Sequence, residues 1–379
     1  MSLAAQTFQI RPLPTLIFGA GSARKLAAQV QALGRQSVLV VTDKGLMASG
    51  AADEALAALR AAGITVEVFD GVEANPTDRN VTAGAARLAG LPHAAVLALG
   101  GGSSMDCGKA IALLATNPGE LADLQKPGPK TPGLPVIAVA TTAGTGSETN
   151  SACVITNTAL GRKTYVMHPS IVPAFAVLDP ELTLGLPAYP TATCGFDVLT
   201  HALEAFTSLR ATPYSDAVAL KAIEMVAAHL REVVADGANL EGRAQMMLAS
   251  SMAAIAFNVA GLGAAHGTGH ALSARLNAAH GQTLATMLPH VMGFNLSVSA
   301  DKYAQVAAVL GASPTAEAAI GAVEALRADI GIARSITDLG GTADMIPQLS
   351  EDAAADGVNL SNPRPIGRPD FEALYQAAL

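Results

Sequence analysis

Cysteine is scarce in this chain: Cys107, Cys153 and Cys194 are the only three among 379 residues. An odd and sparse set excludes a disulfide framework and reads as reduced thiols in a cytosol. No CxxC pair occurs, which argues against a thiolate zinc site. Charge is thin as well, at 14% of residues, and its balance is acidic, with 31 Asp and Glu against 23 Lys and Arg and a net charge of -8. Such a chain has no electrostatic footprint for nucleic acid. Long apolar runs are missing. The longest, 252–265, is broken by Asn258, Gly261 and Gly263 and is too short to span a bilayer, so no membrane partner is expected. Residues 1–12 hold no basic stretch followed by an apolar core, so no secretory leader is expected and the cytoplasm is the expected compartment. The GxGxxG fingerprint after a first strand is absent too.

What is present is a hydrophobic half of the composition, enough for a globular protein with two cores. The first half alternates strand and helix patterns. Strands are expected at 37–42, 64–69, 94–99, 135–140 and 175–178, and helices at 51–62, about 78–88 and 104–115. That alternation implies an α/β fold with a mostly parallel sheet and helices on both faces. Residues 151–168 read instead as a hairpin turning at Ala159-Leu160-Gly161, and the cluster Lys126-Pro-Gly-Pro-Lys130 as a surface loop. Beyond residue 187 the strand signal fades, and 213–235, 239–257, 283–296 and 314–329 have helical spacing. Two domains are expected, an α/β one over 1–182 and a helical one over 183–379. No internal repeat is visible.

Gly100-Gly101-Gly102-Ser103 sits where a strand ends and a helix begins. Glycines let the backbone approach a pyrophosphate, and the helix start offers N–H groups and a favourable dipole. Alone, such a loop is equally an ordinary strand–helix turn. The stretch from Thr141 through Thr142 and Thr145 to Gly146 adds hydroxyls and glycines after another strand. Two such loops at the carboxyl ends of parallel strands match the ligand crevice of an open sheet. Asp43, just past the strand at 37–42, can accept both hydroxyls of an adenosine ribose and repels a 2′-phosphate, which favours NAD over NADP. Its plainer alternative is an N-cap or turn aspartate.

Asp197 and His201 are four apart, as are His266 and His270, and on a helix that spacing puts each pair on one face. His280 follows ten residues after His270. One buried histidine is usually just a hydrogen-bonded core residue. As a set these read as ligands, because a cluster of unpaired polar groups in apolar helices costs several kcal/mol without a shared partner. Three imidazoles and a carboxylate suit Fe2+ or Zn2+, and spacing does not choose between His266 and His270. His93 and His229 read as surface or helix residues, His168 as part of the hairpin, and His290 as structural or lining the site.

Together these segments resemble the iron-containing (group III) alcohol dehydrogenase family. The matching pieces are Gly100-Gly-Gly-Ser-Ser-Met-Asp106, Thr141-Thr-Ala-Gly-Thr-Gly-Ser-Glu148, Leu178-Asp-Pro-Glu181, Asp197-Val-Leu-Thr-His-Ala-Leu-Glu204, His266 through Gly281, Leu288-Pro-His-Val291 and Asn362-Pro-Arg364. They run in order over nearly the whole chain. The resemblance implies a Rossmann-like N-terminal domain and an all-helical C-terminal domain in a dehydroquinate-synthase-like architecture, with metal and nicotinamide in the cleft between them. It implies Asp197, His201, His266 and His280 as metal ligands, with His270 near the nicotinamide and substrate. It further implies cofactor contacts at Asp43, Asn75, Gly101, Gly102, Ser103, Asp106, Thr141, Thr142, Thr145 and Lys163. The chain departs from the family at Ala279, where proline is frequent, and at Ala152, where some members have asparagine.

The implied activity is hydride transfer between NAD(H) and a primary alcohol or aldehyde, with Fe2+ or Zn2+ as Lewis acid and His270 as a proton relay or a substrate-shaping group. The resemblance also implies a homo-oligomer, a dimer or larger. Competing readings are a maleylacetate-reductase-like or glycerol-dehydrogenase-like reductase, a dehydroquinate-synthase-like lyase that recycles its NAD, and a non-catalytic NAD- and metal-binding protein. An acidic substrate would need arginines facing the metal, and the nearby segments offer only Arg275 and Arg364.

Overall fold

The computed structural model describes residues 7–10, 13–125, 128–160 and 162–379. Lys126 and Pro127 of the proline cluster, Gly161 of the expected hairpin turn, and residues 1–6, 11 and 12 lie outside the described residues. The chain forms two compact units, Pro12–Gly185 and Leu186–Leu379, and the described residues 7–10 group with the second rather than with the expected 1–182 domain.

The first unit carries strands β1 (Thr15–Phe18), β2 (Ser37–Val41), β3 (Thr65–Phe69), β4 (Ala94–Gly100), β5 (Val136–Ala140), β6 (Ala152–Asn157), β7 (Arg162–Met167) and β8 (Phe175–Leu178). Six of them form one parallel sheet in the order β1-β8-β5-β4-β2-β3, while β6 and β7 pair antiparallel as the hairpin. Strands β2, β4 and β5 are buried along their whole length, which is why they read as unbroken apolar runs. Among the helices are α1 (Leu26–Ala32), α2 (Lys44–Ser49), α3 (Asp53–Ala61), α4 (Asp78–Leu88) and α5 (Gly102–Leu114). Val38, Val40, Leu97, Leu99 and Val139 form one core with Leu26 and Val30 of α1 and Leu56 and Leu59 of α3. Helix α5 presses on the opposite face, where a Cβ on Gly108 would lie 2.7 Å from that of Ala98. The helix expected over 51–62 is α3 alone. A separate helix, α2, precedes it and ends at Gly50, whose φ of 74° is the left-handed stop.

Chain order reverses at β2, with β3 on one side and β4 on the other. Loops at the carboxyl ends of strands beside such a switch point are where open α/β sheets bind ligands.

The second unit holds α6 (Ala188–Thr207), α7 (Pro213–Ala235), α8 (Leu240–Ala260), α9 (Ala264–Leu276), α10 (His280–Val309), α11 (Ala316–Asp329), α12 (Ile346–Ala354) and α13 (Arg368–Ala377). Helix α10 runs through Pro289, well past the expected 283–296. Proline has no N–H for the carbonyl four residues earlier. That carbonyl, of Ala285, accepts instead from Arg327 Nη1 on α11 at 3.1 Å. A buried arginine thus replaces the missing helical donor. No single helix among the described residues is long and apolar enough to cross a membrane.

Candidate functional site

In the helical unit, α6 places Asp197, His201 and Glu204 on successive turns of one buried face. Helices α8 and α9 are bent by 109° across the break at 261–263. Gly261 turns the chain at φ +79, and a Cβ there would lie 2.5 Å from Ser361 Oγ, so a larger residue does not fit. The turn brings His266, in the first turn of α9, up against α6. At the start of α10, a Cβ on Gly281 would lie 2.0 Å from the Thr193 carbonyl oxygen, and this close approach carries His280 in beside the others.

His201 Nε2 lies 3.4 Å and His266 Nε2 3.7 Å from Asp197 Oδ1. Both gaps exceed the usual N–H···O range of about 2.7–3.2 Å. Asp197 Oδ1 and His266 Nε2 are buried with no hydrogen-bond partner. Two metal–ligand bonds of about 2.1 Å meeting at a tetrahedral angle separate their donor atoms by about 3.4 Å. Candidate ligand atoms of Asp197, His201 and His266 all lie within 4.8 Å of one another, so the donor set fits a divalent ion.

His280 is not in that tight trio. Its ring sits 5.5 Å from the His266 ring and stacks on His270 at 5.2 Å. Burial works to raise the Asp197 carboxyl, but His201, His266 and His280 outweigh it and hold the group at about 2. For His266, burial lowers the ring pKa, and the charges of Glu204 and Asp197 with the Glu204 hydrogen bond drive it up to about 9. His270 Nδ1 pairs with Asp356 Oδ2 at 2.7 Å, which fixes the ring's orientation. Of the remaining histidines, His93 is exposed, His229 lies beside Glu232 on α7, His168 accepts from the Ser170 N–H, and His290 lies on α10.

In the α/β unit Asp43, Gly101, Gly102, Ser103, Thr141, Thr142 and Thr145 lie in the segments that follow β2, β4 and β5, whereas Asn75 follows β3, Asp106 lies within α5 and Lys163 on β7. Thr141 N–H donates to the Gly100 carbonyl at 3.0 Å, joining the two loops. A Cβ on Gly101 would lie 3.3 Å from Thr142 Oγ1, and one on Gly102 would lie 2.7 Å from Thr145 Cγ2. Gly102 thus has no room for a side chain unless Thr145 shifts, and Gly101 is tight against Thr142. Ser103 Oγ donates to the Ala74 carbonyl at 2.6 Å, next to Asn75. Asp43 caps α2 by accepting from the Leu46 N–H at 2.9 Å, and its Oδ2 lies 3.8 Å from the Cβ position of Gly100. The N-cap alternative for Asp43 is therefore realised at one oxygen, while the other faces the glycine turn.

Asp106 is occupied within the unit: it accepts from Ser147 Oγ and from the Val154 N–H, and pairs with Lys109 at 3.2 Å. Buried Lys109 also donates to the Ser147 and Ala152 carbonyls and to Asn150 Oδ1. Lys163, opposite Thr156 in the hairpin, has its pKa lowered by burial against the pull of Asp106. Glu148 is raised to about 7 by burial, opposed by its own N–H and by Lys109.

Sequence reasoning gave no role to Glu204, Lys109 or Asp356. Glu204 stood inside a quoted motif three residues after His201, and that spacing was the available signal. Nothing local marks the other two.

A family model described as iron-containing alcohol dehydrogenase matches residues 14–180, and the model of that family's C-terminal region matches 191–379. The 1,3-propanediol dehydrogenase of Klebsiella pneumoniae is 41% identical over 373 residues, covering 95% of this chain and 96% of that protein. An NAD-dependent methanol dehydrogenase of Bacillus methanolicus is 35% identical, covering 97% and 98%. Among solved structures, a 1,3-propanediol oxidoreductase superposes with a TM-score of 0.95 at 39% identity, covering 99% of this chain and all of that one.

Proposed function

Because the chain belongs to the iron-containing alcohol dehydrogenases, we propose that it interconverts primary alcohols and aldehydes using NAD and one divalent ion. The observation that carries this reading is the pair of buried, unpartnered atoms, Asp197 Oδ1 and His266 Nε2, facing each other at 3.7 Å. When bound, iron supplies a Lewis acid that lowers the pKa of an alcohol, and NAD supplies the hydride acceptor.

Asp197, His201, His266 and His280 hold the ion. His280 is preferred to His270 as fourth ligand on the resemblance to the iron-containing family, and its charge acts on Asp197. Fixed by the Asp356 carboxylate, His270 takes up the proton that the alcohol releases. Gly101, Gly102 and Ser103 at the start of α5 offer N–H groups to the pyrophosphate. Asp43 accepts the adenosine ribose hydroxyls and disfavours a 2′-phosphate. Thr141, Thr142 and Thr145 orient the nicotinamide half with Lys163 and Asn75, and Asp106 holds Ser147 and the hairpin strand β6 in place.

The arginines disfavour an acidic substrate. Arg275 is paired with Asp352 at 2.7 Å, and Arg364 donates to the Phe294 carbonyl while stacking 4.0 Å above that ring. The reading includes Fe2+ in preference to Zn2+, a cytoplasmic location in keeping with three free cysteines, and no nucleic-acid or membrane partner. It also includes a homo-oligomer, supported by exposed Leu16 and Phe18 on the edge strand β1 and Leu13 just before it.

The test is a panel of short primary alcohols and diols with NAD or NADP, on protein reconstituted separately with Fe2+ and Zn2+. NADH formation that depends on iron and prefers NAD is expected. Turnover without net NADH would mean a lyase, and metal and NAD binding with no turnover would mean a binding protein.

A further inference from the structure

We infer that Glu204 is a positioning residue that selects the tautomer of His266 and so sets how tightly the helical unit holds its ion; this rests on the metal-site reading above. Glu204 lies on α6 and is 5% exposed. Its Oε1 accepts from the backbone N–H of Ala265 at 2.7 Å and of His266 at 3.4 Å. Its Oε2 faces His266 Nδ1 at 2.5 Å. An ionised carboxylate only accepts, so Nδ1 must carry hydrogen, and in the neutral ring the lone pair falls on Nε2. Nε2 is the atom that faces Asp197 Oδ1.

The two backbone bonds have a separate consequence. They hold the carboxylate against the positive end of α9, so Oε2 cannot swing away from the ring. One acidic side chain thereby ties α6, which carries two ligands, to the first turn of α9, which carries the third.

Glutamine at this position has nearly the same shape but a single oxygen. If that oxygen stays on the backbone N–H groups, the amide NH2 faces Nδ1, and the ring must move its proton to Nε2, where the ion belongs. If the oxygen turns to the ring, the NH2 opposes the backbone donors. Both orientations lose something glutamate supplies.

The experiment measures Zn2+ affinity by chelator competition in wild type, Glu204→Gln and His266→Ala, with the melting temperature of each metal-free protein and NAD affinity as controls. The Gln variant should bind Zn2+ about 10–100-fold more weakly, with metal-free melting and NAD affinity close to wild type. Wild-type Zn2+ affinity in the Gln variant, beside a weakened His266→Ala, overturns the role of Glu204 alone. A wild type that holds no ion, or a His266→Ala variant that binds as wild type does, overturns the metal-site reading itself. Should the Gln variant not fold, Glu204→Asp serves in its place. It keeps the charge but draws the carboxylate back by about 1.5 Å, and wild-type affinity there overturns the inference equally.

Discussion

The two units meet the same problem, a polar site inside an apolar protein, in opposite ways. In the α/β unit the charged groups beneath the expected cofactor loops, Lys109 and Asp106, are paired before any cofactor arrives, although Thr42 Oγ1 at the end of β2 is buried without a partner. Lys109 is surrounded by acceptors, Asp106 by donors, and the two loops are joined by the Thr141 N–H to Gly100 carbonyl bond. In the helical unit, Asp197 Oδ1 and His266 Nε2 are buried without hydrogen bonds. A site built from backbone and glycine rests comfortably when empty, whereas one built from convergent side chains is costly until something fills it. Metal should therefore act as part of the helical fold, and NAD as a guest of the other.

The largest expected effect falls on the ligands. Asp197→Ala and His280→Ala should lose the ion and turnover together, with activity down by at least about a thousandfold, or about 4 kcal/mol of barrier. Metal analysis beside a rate assay checks this, and full activity in a metal-free variant would remove that residue from the ligand set.

Next comes the asymmetry in stabilisation. An ion at a thousand times its Kd adds about 4 kcal/mol of stability, and NAD at a hundred times its Kd about 3 kcal/mol. Hydrogen exchange should show protection from metal concentrated in α6, α9 and α10, and protection from NAD in the loops after β2, β4 and β5. Protection spread evenly over both units by either ligand would erase the comparison.

The third effect concerns a buried acid in the α/β unit. Buried Glu148, with its pKa raised to about 7, binds a proton more tightly folded than unfolded. Its cost to stability is absent below its unfolded pKa of about 4.5 and grows as pH rises to about 7, reaching at most about 3 kcal/mol. Denaturant titrations at several pH values should show that loss, and Glu148→Gln should flatten it. An unchanged pH profile in the variant would exonerate Glu148.

The smallest effect separates the units cleanly. Gly102→Ala forces a Cβ to within 2.7 Å of Thr145 Cγ2, which should raise KM for NAD by about tenfold, about 1.4 kcal/mol, and leave metal content untouched. Loss of metal in this variant would show the two sites to be interdependent.

What the sequence reveals follows the same division. The buried strands β2, β4 and β5 are short unbroken apolar runs, and α4 begins with the Thr77–Asn80 capping box, so both are written in adjacent residues. β1 is not, since it is four residues long and lies mostly exposed at an edge. Asp197 and His201 announce themselves by helical spacing. Glu204 does not announce its partner, because the His266 ring it grips lies 62 residues further on, delivered by the turn at Gly261. Arg327 likewise takes up the Ala285 carbonyl from another helix, a compensation that nothing beside Pro289 announces. Local chemistry is legible, and convergence from distant helices is not.

The most direct measurement is an anomalous difference map at the iron edge from crystals of the iron-loaded protein. One peak per chain is expected, within bonding distance of Asp197 Oδ1 and the ring nitrogens of His201, His266 and His280. Full iron occupancy with the peak elsewhere, or with any of those four side chains turned away from it, would contradict the account.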